Sequence, residues 1–177
     1  AKSAPNGYTL LASYNSSIAP GALLYNKLGY DPVKDFKHIA LIGVFPQFML
    51  VRADHPAKTV QDFIAMVRAK PGAVNYSSAG VGTSGFLAAE MLKQALSLDM
   101  VHVPYKGAGP ALTGLLAGEI QVMFATAPLA MPHIKSGRLR ASAYNATKRA
   151  AFLPEVPTVI ESGVTGTEMP PSWHGML

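Results

Sequence analysis

The stretch Ala73-Val74-Asn75-Tyr76-Ser77-Ser78-Ala79-Gly80-Val81-Gly82-Thr83-Ser84-Gly85, continued by Phe86–Leu96, decides the fold. Ala73–Ser77 reads as a short strand, and the glycine, serine and threonine residues after it end the strand in a tight loop. Phe86–Leu96 then carries apolar residues at helical spacing. Leu87, Met91, Leu92 and Ala95 are expected inward, with Glu90, Lys93 and Gln94 outward. Strand, loop and helix make half of a β-α-β unit.

Working outward, the same alternation recurs on both sides. Upstream, Thr59-Val60-Gln61-Asp62 has the form of a capping box, because the Thr side chain accepts from the first helical turn and the acid answers three positions later. The helix Val60–Ala69 buries Phe63, Ile64 and Val67 and stops at Pro71-Gly72. Downstream come strand Val101–Pro104, helix Pro110–Ala117 closed by Gly118, and strand Ile120–Phe124. Helix Pro128–Ser136 follows, closed by Gly137, and then strand Leu139–Tyr144. Such repetition predicts an α/β fold whose mainly parallel sheet is covered by helices on both faces.

The two ends follow a different pattern. Tyr8–Ser13 is expected as a strand, followed by an irregular segment, Tyr14–Phe36, containing Pro20, Gly21, Gly29 and Pro32. Strands His38–Gly43 and Gln47–Arg52 lie close together. Beyond Lys148 the chain is again irregular, with Pro154, Pro157, Pro170 and Pro171, and it finishes on the strand-like Ser172–Leu177.

Composition narrows the function. The 177 residues are 49% hydrophobic and only 14% charged, which is globular rather than disordered. No apolar run reaches the roughly 20 residues that span a bilayer. Without Cys there is no disulfide scaffold, thiol nucleophile or Cys-based zinc site. The net charge of +5 favours anionic partners, yet the basic residues are dispersed. Nucleic-acid binding needs a basic stripe or a groove-reading helix, and neither is present. The chain begins without Met and carries no signal peptide, so it reads as a piece of a longer protein.

The loop at Ser77–Gly85 holds the most suggestive chemistry. Small residues let a ligand approach the backbone, and the N–H groups at a helix start present partial positive charge to an anion. Ser78, Thr83 and Ser84 add hydroxyls; the plainer alternative is a turn whose Ser and Thr cap the helix. Gly80-x-Gly82-x-x-Gly85 formally matches a dinucleotide fingerprint, which requires an acid at the far end of the next strand. Asp99 has the right separation but precedes that strand, whose far end reads Tyr105-Lys106-Gly107. No Walker loop or Gly-x-Ser-x-Gly elbow exists. His38, His55, His102, His133 and His174 form no i,i+3 or i,i+4 pair, so no metal site is expected. Tyr14-Asn15-Ser16-Ser17, Tyr105–Pro110 and Ala125-Thr126-Ala127-Pro128 are the other strand-end loops. Together with the Gly-rich loop they would offer backbone N–H and hydroxyl groups with few acids, which suits a carboxylate.

Five ordered motifs carry a resemblance across essentially the whole chain. They are Asn6-Gly7-Tyr8-Thr9-Leu10-Leu11, Tyr30-Asp31-Pro32-Val33-Lys34-Asp35-Phe36, Asn75–Thr83, Val103-Pro104-Tyr105-Lys106-Gly107 and Pro154-Glu155-Val156-Pro157-Thr158-Val159-Ile160-Glu161-Ser162-Gly163. The chain resembles the periplasmic receptors of tripartite tricarboxylate transporters, the Bug family. That resemblance implies a periplasmic-binding-protein type II-like fold, in which two lobes with helix-covered mixed sheets are joined by crossing strands. Residues 1–51 would be part of the first lobe, 52–166 the second lobe, and 167–177 a crossover back to the first, whose N- and C-terminal parts are absent here.

By the same resemblance the protein is a periplasmic, monomeric solute receptor without cofactor or metal, not an enzyme. It would close over a small carboxylate and deliver it to membrane permease subunits. Ser78, Gly80, Gly82, Thr83 and Ser84 match the second-lobe anion loop, and Ser16 and Ser17 the first-lobe loop. The loop after Phe124, Ala125-Thr126, matches a ligand-facing loop that often begins with Asp in relatives. Ala125 therefore favours a di- or tricarboxylate or an aromatic acid over an amino acid. Competing readings are an α/β oxidoreductase holding a nucleotide at Gly80-x-Gly82-x-x-Gly85, and an accessory protein presenting ligand to a sensor.

Overall fold

The computed structural model describes residues 2–18, 27–167 and 171–177, with the side chain of Ser17 outside that set. The expectations at Pro20, Gly21 and Pro170 fall outside the described residues. The chain divides into two compact units, one of residues Ala1–Phe45 with Ser172–Leu177, the other Pro46–Pro171.

The second unit is built on a five-stranded sheet. In chain order its elements are β3 (Gln47–Arg52), α2 (Val60–Ala69), β4 (Val74–Ser78), α3 (Ser84–Leu96), β5 (Met100–Pro104), α4 (Ala108–Ala117), β6 (Val122–Thr126), α5 (Ala127–Lys135) and β7 (Leu139–Asn145). The strand order is β5-β4-β6-β3-β7. β4 pairs in parallel with β5 and β6, while β3 runs antiparallel to β6 and β7. The sheet is therefore mixed, and the expectation of a mainly parallel sheet holds only for its β5-β4-β6 half. β3 enters in reverse because it arrives from the other unit rather than through a helical crossover.

Alternation along β3 creates two cores. Met49 and Val51 join Val60, Phe63, Ile64 and Val67 of α2 and Ala88, Ala89 and Leu92 of α3 on one face. Phe48 and Leu50 join Ala111, Leu112 and Leu115 of α4 and Ala130 of α5 on the other. Each such side chain contributes about 1.5–3 kcal/mol by leaving water. Helices thus cover both faces, as the sequence predicts. The expected boundary at residue 52 moves to Pro46, because β3 is flanked on both sides by strands of the second unit.

Local expectations fare differently. α2 spans the predicted residues, and its capping box forms, with Thr59 Oγ1 accepting from Asp62 N–H and the Asp62 carboxylate accepting from Thr59 N–H. α4 ends on Gly118 in the left-handed region, φ 83°. α3 starts two residues earlier than expected, and its buried face is Gly85, Ala88, Ala89 and Leu92, while Ala95 is exposed. The helix has turned its small residues to the sheet. A Cβ on Gly85 would stand 2.6 Å from the Phe124 carbonyl oxygen, a close approach that favours glycine.

The first unit is a three-stranded antiparallel sheet, β1 (Ala12–Tyr14), β8 (Ser172–Met176) and β2 (Ala40–Phe45), in the order β1-β8-β2, with a one-turn helix α1 (Asn15–Ile18). The strand expected from Tyr8 begins only at Ala12. Backbone pairing reaches back just to Leu11, which exchanges two 3.0 Å hydrogen bonds with Leu177, and Tyr8 is 92% exposed. The supposed loop at Ser16 is that one-turn helix.

Candidate functional site

Three helices of the second unit begin where three neighbouring parallel strands end. β4, β5 and β6 run on into α3, α4 and α5, so the starts of these helices share one edge of the sheet. Their N-cap residues are Thr83, Gly107 and Thr126, none of which caps through its side chain, and none of the three first turns contains an acid. α2 is the opposite case: Asp62 sits in its first turn and completes the capping box. The open helix starts therefore leave donors and partial positive charge at one edge.

The Gly-rich loop is held in shape from within. Ser78 is 1% exposed. Its hydroxyl accepts from Gly80 N–H at 3.1 Å and lies 3.1 Å from Gly80 O. Thr83 Oγ1 donates to Gly80 O at 2.7 Å, which turns the hydroxyl away from the helix start. Gly80 (φ 128°) and Gly82 (φ 81°) occupy backbone conformations that side chains disfavour. Of the predicted loop residues, Ser78, Gly80 and Thr83 thus build the loop. Ser84 Oγ accepts from Gln47 Nε2 at 2.5 Å, which leaves its own proton free to point at a ligand.

Behind the loop lies a cluster that sequence reading missed. Ser78 Oγ and His102 Nε2 share a 2.7 Å hydrogen bond. The His102 ring stacks on Tyr76 at 4.8 Å and also meets Phe86 at 4.8 Å. Burial holds the imidazole pKa below its ordinary value. The Tyr76 hydroxyl donates to Glu90, and Lys93 pairs with Glu90 at 2.9 Å. Burial pushes the Glu90 carboxyl up, but the hydrogen bonds from Tyr76 and Lys93 outweigh it and the pKa falls. Tyr76 is pushed up, first by burial and then by Glu90. Tyr76 and His102 face each other only through the β4–β5 register, which local sequence does not display.

The remaining predicted residues separate. β6 continues two residues beyond Phe124, so Ala125 lies inside the strand rather than on a loop. It is 4% exposed and packs in the Phe48–Leu50 core, because the pairing Phe48↔Ala125 and Gln47↔Thr126 extends the ladder. This corrects the expectation that Ala125 opens a ligand-facing loop. Thr126 stands at the edge, at the start of α5. In the first unit, Ser16 Oγ is buried and has no hydrogen-bond partner, and Ser17 contributes backbone to α1.

Gln47, Thr126 and Asn145 share one register at the edge, a polar row across three strands that sequence reading also missed. Asp99, the acid a dinucleotide site would need, lies against Gly72 at the opposite edge, where β4 and β5 begin. Among the described residues no cluster of three His, Asp or Glu side chains could hold a metal ion. No helix among them is long and apolar enough to cross a membrane.

A family profile for the tripartite tricarboxylate transporter family receptor matches residues 1–177. The UPF0065 protein of the TAR-I ttuE-ttuC' intergenic region of Agrobacterium vitis is 36% identical over 99% of this chain and 50% of its own length. The chain spans about half the length of the curated relatives it matches. Among solved structures, R. palustris Rpa4515 with adipate superposes with a TM-score of 0.94 at 31% identity, covering 99% of this chain and 58% of the other. The periplasmic binding protein BugD gives a TM-score of 0.91 at 31% identity, covering 99% and 58%. The mixed α/β architecture is thus that of periplasmic binding proteins, and the family described is one of receptors rather than catalysts. The chain belongs to the tripartite tricarboxylate transporter receptor family.

Proposed function

We propose that this chain is the ligand-gripping part of a periplasmic solute receptor that binds a small carboxylate and passes it to a tripartite tricarboxylate-type permease. The observation that carries the reading is the set of three helix starts at one sheet edge, uncapped by side chains and free of acids. Each offers a carboxylate about 0.3–1 kcal/mol, so the three together give about 1–3 kcal/mol. The Ser84 hydroxyl adds a charge-assisted bond of about 1.5–3 kcal/mol. Adipate in a related structure of the same fold agrees with a carboxylate cargo.

Within this reading Ser84 and the backbone at Gly82 and Thr83 touch the anion, Thr126 borders it, and Ser78, Gly80 and Thr83 hold the loop's shape. Ser16 and Ser17 of the first unit, residues 1–45 and 172–177, are assigned to the ligand as well. Closure follows if ligand binds the closed arrangement better than the open one, which shifts the population. Titration of the isotope-labelled chain with adipate, followed by amide NMR, tests the reading. Shifts should concentrate at Ser84, Gly85, Ala108 and Ala127, with dissociation constants in the millimolar range. Shifts scattered over the surface, or none up to saturating adipate, would remove the grip from this edge.

A further inference from the structure

The buried Ser78 hydroxyl has one proton and two acceptors within reach, Gly80 O at 3.1 Å and His102 Nε2 at 2.7 Å. Gly80 O already accepts from Thr83 Oγ1 at 2.7 Å and from Thr83 N–H at 3.3 Å, so both of its lone pairs are engaged. One lone pair of Ser78 Oγ is likewise taken, by Gly80 N–H at 3.1 Å. The Ser78 proton therefore belongs on the shorter contact, with His102 Nε2 as its acceptor. That selects the tautomer protonated at Nδ1, an atom that is not a buried orphan. Tyr76 and Phe86 clamp the ring, each at 4.8 Å, and the pairing of Tyr76 with His102 across β4 and β5 sets its height beside Ser78.

We propose that His102 is a positioning residue for the anion grip: its bare Nε2 takes the Ser78 proton and so holds the Gly80–Thr83 turn in the shape that presents the start of α3 to a carboxylate. The inference rests on the carboxylate-receptor reading and deepens it by giving the grip a pH limit. A protonated ring can only donate from Nε2. Ser78 must then give its proton to Gly80 O, in competition with Thr83 Oγ1, at a glycine held at φ 128°. The titratable groups facing the ring are Tyr76 from β4 and Glu90 and Lys93 from α3. Tyr76 is pushed up by burial and by Glu90; Glu90 is raised by burial but lowered more by its bonds from Tyr76 and Lys93. Neither changes charge between about pH 7.5 and 5.5, the interval in which histidine titrates. Acidification in that interval therefore acts on the loop through His102 and weakens carboxylate binding. A cationic ring acting by charge alone does the reverse.

Two NMR measurements on the isotope-labelled 177-residue chain test this. Without ligand, long-range proton–nitrogen correlation at about pH 7.5 should show His102 with Nδ1 protonated and Nε2 bare. The Nε2–H tautomer overturns the proposal, and this result needs no variant to fold. Adipate is then titrated at about pH 7.5 and 5.5 into the wild type, His102→Gln and His102→Phe, read at the Ser84 amide. Comparing variants at each pH cancels the titration of adipate itself. On acidification the wild type should lose at least about threefold more affinity than His102→Gln, since one pKa unit of coupling carries up to about tenfold. At the higher pH His102→Gln, whose side-chain carbonyl can take the Ser78 proton and never gains charge, should bind more tightly than His102→Phe, which keeps a ring but accepts nothing. Wild type and His102→Gln weakening in parallel, the wild type gaining on His102→Gln at low pH, or the two variants binding equally overturns the positioning role while the carboxylate reading stands. If adipate never shifts Ser84 in the wild type, both fall.

Discussion

β2 and β3 are consecutive in the chain and similarly apolar, yet they have opposite surroundings. Ala40-Leu41-Ile42-Gly43-Val44-Phe45 leaves Leu41, Ile42 and Val44 at 63, 56 and 48% exposure. In Gln47-Phe48-Met49-Leu50-Val51-Arg52, by contrast, every residue from Gln47 to Val51 is buried. β3 has a strand on each side and helices over both faces, whereas β2 has one strand neighbour, β8, among the described residues. Apolar character says that a strand needs cover; which elements provide it is a tertiary matter.

The largest effect should come from truncating the two strands in parallel. Leu50→Ala should cost about 3 kcal/mol, through lost burial and the cavity left between β3 and α4. Leu41→Ala should stay within about 0.5 kcal/mol. Urea unfolding of both variants measures the difference, and equal losses would break the contrast. Next comes Gly85→Ala, which sets a methyl against the Phe124 carbonyl and should cost about 2 kcal/mol, since backbone on both sides cannot give way cheaply. Thermal melts that match the wild type would show that α3 can lift off β6.

A smaller effect separates closed helix starts from open ones. Thr59→Ala removes the capping-box hydroxyl and should cost about 1 kcal/mol. Thr126→Ala removes a hydroxyl that caps nothing and should cost less than about 0.5 kcal/mol. If both cost the same, the α5 start is not an open donor set.

The smallest effect is a pH slope. Burial lowers the His102 pKa in the folded state, so the unfolded chain binds more protons in the interval between the two values. Stability from this group is present above about pH 6.5, the unfolded value, and falls as pH drops toward the folded value. His55, also lowered chiefly by burial, adds a slope of the same sign. Urea midpoints between pH 7.5 and 5 should fall, and His102→Gln should flatten that fall in part. An unchanged slope in the variant would assign it to His55 and other groups.

The legible parts of the fold were the local ones. Thr59 and Asp62, the glycines after α4 and α5, and the alternation of strand and helix all act over a few residues, and their elements appear where expected. The Gly-rich loop was legible for the same reason. α3 was misphased because small residues rather than large ones face the sheet, and only the approach of Gly85 to β6 explains that choice. Ala125 was misplaced because strand ends depend on the partner strand's register.

Sequence alone therefore determined an α/β chain with a Gly-rich loop between β4 and α3, because periodicity, capping and turn chemistry are short-range. Tertiary structure decided the rest. It set β3 in reverse into the sheet, brought Ser78 to His102 and Ser84 to Gln47, and aligned Gln47, Thr126 and Asn145 along one edge. These partners lie 24 to 98 residues apart or depend on register between strands, and no local propensity encodes which of them will meet.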